Sequence, residues 1–141
     1  MKWASKVSDQ FNLKDAVDDC IIHIRSELGD VDPDLAIVFL SPHHTPDFDD
    51  VPGLIREHLN PKTMLGCSGG GVIGGGKEVE DRAGFALTAA TLPGIELNAF
   101  HLESRHLPTP DASPSAWETI TGITAAQSPA FVILADPFSI R

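Results

Sequence analysis

The sequence predicts an α/β (α+β) fold: a mixed β-sheet with a β-hairpin, covered by helices. Three observations predict it. Leu35 to Leu40, LAIVFL, is a continuous apolar run of strand length, the kind buried on both faces of a sheet. Leu13, Val17, Cys20, Ile21, Ile24 and Leu28 recur at helical spacing and form one apolar stripe. Pro93-Gly94 stands between two strand-like runs, 83–92 and 95–102, and reads as a tight turn joining them into an antiparallel hairpin.

Taken in order, Trp3 to Val7 alternates as a short first strand. Asn12 follows as a helix N-cap, with Phe11 placed to pack on Ala16 as a hydrophobic staple, and Gly29 ends the helix. Leu35 to Leu40 is expected at the centre of the sheet. The polar stretch SPHHTPDFDD reads as a loop leading into a short helix whose Val51, Leu54, Ile55 and Leu59 share a face, and Asn60-Pro61 stops that helix. Thr63, Met64 and Leu65 read as a buried strand, and the predicted hairpin comes next. After an irregular proline-rich excursion, Ser113 with Pro114 at the first helical position opens a helix carrying Trp117 and Ile120; Ser115 with Glu118 is a second possible cap. Ala130 to Leu134 reads as the last strand, broken by Asp136-Pro137.

Composition narrows the function. A chain of 141 residues that is 42% hydrophobic and 21% charged has the make-up of a globular domain. Its net charge of −10 excludes the clustered Lys and Arg on which nucleic-acid binding depends. Two cysteines form neither a CxxC motif nor a disulfide framework, and the N-terminus MKWASKVSD lacks the apolar stretch of a signal peptide. The expected location is cytoplasmic, with no membrane segment.

The most unusual stretch is GCSGGGVIGGGK, residues 66–77, which holds seven of the twelve glycines. Such a segment is either a bend between strands or a place where main-chain N–H groups face a ligand. Two phosphate patterns fit it superficially. Gly71 to Lys77 matches Gly-x-x-x-x-Gly-Lys, but Glu78 replaces the Ser or Thr that would hold magnesium. Gly69-x-Gly71-x-x-Gly74 matches the dinucleotide fingerprint, but no apolar helix pattern follows to aim a dipole at a pyrophosphate.

Cys67 lies inside this stretch, beside Ser68. The ordinary state of a free cysteine is a buried packing residue, and ligand contact, redox sensing or nucleophilic use are the alternatives. Cys20, on the helix stripe, belongs to the core. His43 and His44 with Asp47, Asp49 and Asp50 suggest a metal, but adjacent histidines on an extended chain point apart, so loop solvation is the expected role. His101 and His106 have no zinc-motif spacing either. Asp30, Asp32 and Asp34 imitate a calcium loop, yet Leu35 stands where its glycine belongs and Ser41 where its bidentate Glu belongs, leaving a solvated turn. No metal and no cofactor is called for. Asp136-Pro137-Phe138 is either a strand stop with an anchoring Phe or part of a ligand-side loop at a strand end.

The series VSD, DLAIVFLS, LGCSGGGVIGGGKEVED, AGFALTAATLPGIELNAFHLE and FVILADPFS resembles, in order and spacing, the N-terminal FIST domain of intracellular signal-transduction proteins. The resemblance covers nearly the whole chain and is most specific at Gly66-Cys67-Ser68 with the following glycines and Glu78-Val79-Glu80. It implies a non-enzymatic sensory domain that binds a small ligand such as an amino acid or a related carboxylate, followed in a longer protein by a FIST C-terminal domain. Residues 1–141 are then one FIST N-terminal-like domain, incomplete at its C-terminus. The glycine run is longer than in many members. The expected ligand site comprises Gly66, Cys67, Ser68, Gly69, Gly70, Gly71 and Asp136. Two other readings stay open: an enzyme with Cys67 as nucleophile, and a structural or interaction fragment that exposes the apolar run at 131–134.

Overall fold

The computed structural model describes residues 1–136 and 138. They form two compact units, Met1–Ile95 and Glu96–Arg141.

The first unit is built on a four-stranded mixed sheet in the order β1-β6-β2-β3, with β1 at Lys2–Ser8, β2 at Leu35–Leu40, β3 at Thr63–Ser68 and β6 at Phe85–Thr91. β6 runs antiparallel to both β1 and β2, whereas β2 and β3 are parallel. Parallel neighbours need a crossover, which is supplied by a 3-10 segment, Pro42–Asp50, and helix α2, Val51–His58. LAIVFL is an inner strand, as its sequence predicts.

Strand alternation sorts the apolar residues between two faces. Ala36, Val38 and Leu40 of β2, with Phe85, Leu87 and Ala89 of β6, meet α1 (Leu13–Leu28) and α2 in the main core. Asn12 caps α1 as predicted, its Oδ1 accepting a hydrogen bond from the Asp15 N–H at 3.2 Å. The Phe11 staple is not made: Phe11 is 83% exposed, and the cap alone sets the helix entry. Cys20 is fully buried in this core, and burial pushes its thiol pKa up to about 12.

The opposite face carries Val7, Phe39 and Ala86, which pack against Val72 and Val79 of a second, two-stranded sheet. That sheet is a hairpin of β4, Gly71–Gly74, and β5, Lys77–Glu80, laid over the first. The molecule's hairpin therefore lies in the glycine run. Pro93-Gly94 does form a turn, with the Ile95 N–H donating to the Leu92 carbonyl at 3.1 Å, but 95–102 is not a strand. The reason is topological: β1 and β2 already occupy both edges of β6, so none is left for a hairpin partner. Thr63 to Leu65 is a strand that extends to Ser68, but as an edge it is half-buried at its start and exposed at its end.

Of the three aspartates expected as a solvated turn, Asp30 and Asp32 are exposed as expected and Asp34 is partly buried, and each has a polar partner. Asp34 accepts from the Leu92 N–H and from Lys62, Asp32 accepts from Asn60 at 2.7 Å, and Asp30 lies 3.6 Å from Arg25. Arg25 also donates to the carbonyls of Val31, His58 and Leu59, joining the ends of α1 and α2.

In the second unit, α3 spans Pro114–Thr121 with Ser113 at the N-cap position and Pro114 first in the helix, as predicted. The alternative capping box is not formed, because Glu118 accepts from the Ala125 N–H at 2.8 Å. Asn98 donates to the Thr121 carbonyl at 2.8 Å, and Phe100 meets Phe131 edge to face with centroids 6.1 Å apart. Ala130 to Leu134 is not a strand. Its backbone has no pairing partner among the described residues, and Phe131, Val132, Ile133 and Leu134 are all substantially exposed.

Candidate functional site

The predicted glycine-run residues lie where β3 ends and the chain turns toward β4. Gly66, Cys67 and Ser68 are the exposed last residues of β3, Gly69 and Gly70 form the link, and Gly71 opens β4. Cys67 is exposed, so its expected packing role is corrected: it lies in the exposed final half of edge strand β3. Asp136 belongs to the second unit, where it is exposed and its carboxylate accepts from the Phe138 N–H at 3.0 Å. Phe138 is 95% exposed and anchors nothing, and Pro137 lies outside the described residues.

The glycines divide by physical role. Gly75 and Gly76 have φ of 55° and 76°, the two positive values required by the tight hairpin turn between β4 and β5. A Cβ on Gly74 would meet the Lys6 carbonyl at 2.8 Å, so glycine lets the hairpin backbone lie directly on β1. The Gly75 N–H donates to Ser5 Oγ at 3.2 Å, and Ser5 is in turn bonded to Thr88 at 2.8 Å. Gly66 is pressed against β2, where a Cβ would fall 2.1 Å from the Val38 carbonyl. Gly70 differs from Gly66, Gly74 and Gly75 and shares its steric openness with Gly76. It is exposed, nothing lies within 4 Å of where its Cβ would be, and its N–H has no backbone partner among the described residues.

This link stands at the C-terminal ends of the parallel pair β2 and β3. The Gly69 N–H is used internally, donating to the Leu40 carbonyl at 3.0 Å. After β2, Ser41 is fixed on both sides: its N–H donates to the Gly84 carbonyl at 2.8 Å, and its Oγ accepts from the Gly84 N–H at 3.0 Å. In the next residues only His44 and half-buried Phe48 depart from the reading of a solvated loop. Pro42–Asp50 is ordered in 3-10 turns, and His44 is 1% exposed. Burial lowers the His44 pKa below its ordinary value, against a smaller opposing effect of Asp47. The sequence carries no sign of this, since a histidine between polar residues and prolines has no apolar periodicity.

Both phosphate patterns fail on geometry, because Lys77 begins a strand and no helix N-terminus follows the glycines. Among the described residues no cluster of His, Cys, Asp or Glu is arranged to hold a metal ion. Hollows on the surface include two lined by charged side chains. One of about 160 Å³ is bordered by Lys6, Ser8, Asp19, Lys77 and Arg82; the other, an open groove of about 420 Å³, runs between Lys14, Asp47, Asp50 and Glu57. None of Gly66 to Gly71 lines either.

The sequence pattern of the FIST N domain matches residues 34–141, from the start of β2 through both glycine clusters and α3. The chain belongs to the FIST N domain family. FIST domains are signal-transduction domains. Two Mycobacterium tuberculosis relatives, each called only an uncharacterized protein (MT0656 and Rv0628c), are 29% identical to this chain over 103 residues, 73% of its length and 26% of theirs. The FIST chain described here thus spans about a quarter of the curated relatives it matches. No solved structure matches it. Among the described residues, no helix is long and apolar enough to cross a membrane.

Proposed function

We propose that this FIST chain is a cytoplasmic sensory module, not an enzyme, whose ligand is a small carboxylate such as an amino acid. The ligand is held by main-chain donors of the Ser68–Gly71 link, and a FIST C-terminal domain in a longer protein receives the response. The observation that carries the reading is Gly70: an exposed, sterically open N–H at the C-terminal ends of two parallel strands, the position at which open α/β sheets place ligands. Main-chain N–H groups carry partial positive charge, so they suit an anion in a protein whose net charge is −10. A response then requires only that ligand bind one arrangement of the link more tightly than another.

The exposure of Cys67 favours a second reading, a nucleophilic thiol. One experiment separates them. Amino acids and small carboxylates are screened by thermal shift against the wild type, Gly70→Val and Cys67→Ala. The sensory reading expects a stabilised wild type, a lost shift in Gly70→Val, whose added side chain obstructs the link, and a retained shift in Cys67→Ala. A ligand response that needs Cys67 and ignores Gly70 would favour the nucleophile.

A further inference from the structure

His44 is the single buried residue in the nine of Pro42–Asp50. Its Nε2 is shut off from solvent and has no hydrogen-bond partner among the described residues. A buried polar atom without a partner is uncommon and costs free energy, so its retention calls for an explanation. The surroundings narrow the choice. Neither hollow described above is lined by His44. The segment is held at its start by Ser41 on Gly84 and further along by half-buried Phe48, which packs against the main core. Apart from His44 and Phe48, every side chain from Pro42 to Asp50 is exposed.

We propose that Pro42–Asp50 is an acid-released strap: the neutral His44 ring plugs it into the fold, and protonation of that ring frees it from the end of β2. An imidazolium has two N–H donors, and the inward nitrogen has no acceptor to receive its own. The charged groups acting on the ring belong to the strap itself: Asp47, which favours the charged form, and His43, which opposes it. Among the described residues, no charged group of a helix or strand is a resolved influence on the ring. Acid therefore shifts the balance toward an open strap in which the ring meets water. Release would uncover Leu40 and Ser41 at the end of β2, beside the β3 end. The inference goes beyond the sensory reading and needs no ligand, so each can fail without the other.

The test is hydrogen exchange of the whole chain near pH 7.5 and near pH 5.5, corrected for the intrinsic pH dependence of exchange. In the open strap, a ring with its ordinary pKa of about 6.5 takes up its proton over this interval, so the open fraction should rise about tenfold. Peptides covering Ser41–Asp50 should show that rise, while those covering β6 should not. His44→Gln and His44→Phe, one polar and one apolar replacement of similar reach, should each lose the pH step, and His43→Gln should keep it. Equal protection at both pH values, an equal rise in β6, or a step that survives in both His44 variants would overturn the proposal.

Discussion

Leu35–Leu40 and the run at 130–134 are close in composition and opposite in fate. LAIVFL lies between β6 and β3, with Ala36, Val38 and Leu40 buried against the helices. AFVIL is irregular and exposed. The contrast extends to the two units, since every buried core side chain among the described residues lies in the first. Apolar, β-branched sequence favours an extended chain, but a strand exists only where neighbouring backbone and a covering layer are supplied.

Four sets of variants would break or sharpen that contrast. The largest effect is expected from Leu87→Ala, which empties a fully buried position between β6 and the helices. It should cost about 3 kcal/mol by denaturant unfolding, whereas Ile133→Ala should stay within about 0.5 kcal/mol. A comparable loss at Ile133 would show that this run is buried in solution and end the contrast. Next is Gly84→Ala, whose Cβ would meet Val72 at 2.7 Å and Val79 at 2.9 Å under the hairpin. A loss of about 1–3 kcal/mol is expected from that overpacking. An unchanged midpoint would mean that the hairpin does not sit on the sheet.

Asn12→Ala should cost about 1 kcal/mol through the lost cap, while Ser113→Ala, whose side chain makes no capping bond in the second unit, should cost less. Circular dichroism melts would rank the two, and the reverse order would contradict the cap geometry. The smallest effect on stability belongs to Cys67→Ala, an exposed position expected to stay within about 0.5 kcal/mol. Its chemistry should still separate it from Cys20: native alkylation read by mass spectrometry should modify Cys67 and spare Cys20.

Acid provides a further probe of the first unit. The Leu92 N–H, and then Lys62, hold the Asp34 carboxyl below its ordinary value of 3.8. Because the folded value is the lower one, this contribution is complete above the unfolded value and disappears as pH falls through the folded one. Asp34→Asn should therefore flatten the fall of Tm on acidification below about pH 4. An unchanged slope would remove Asp34 from the account.

The sequence makes the fold legible wherever a local rule operates. The α1 stripe with its Asn12 cap, the inner position of LAIVFL and the start of α3 at Pro114 all follow from spacing or chemistry within a few residues. What it hides is set by partners distant in the chain. The strand at 85–91 looks free to pair with 95–102 until β1 and β2 are seen to hold both its edges. Gly74 reads only as part of a bend and Gly84 only as part of a strand-like run until Lys6, Val72 and Val79 are found against them. For the candidate site, the location of Cys67 and Ser68 beside glycine is legible, but the exposure of Cys67 depends on β3 being an edge. His44 is hidden altogether, because burial of a single polar residue leaves no periodic trace.

The guanidinium of Arg25 has a consequence for how this unit opens. Its nitrogens reach carbonyls of the loop after α1 and of the end of α2, with Asp30 and Asp32 close by. A lysine has one compact ammonium and cannot hold a planar fork of contacts in this way. Fraying at either helix end withdraws part of the support for the other, so the two termini behave as one cooperative latch whose failure is felt in two places at once.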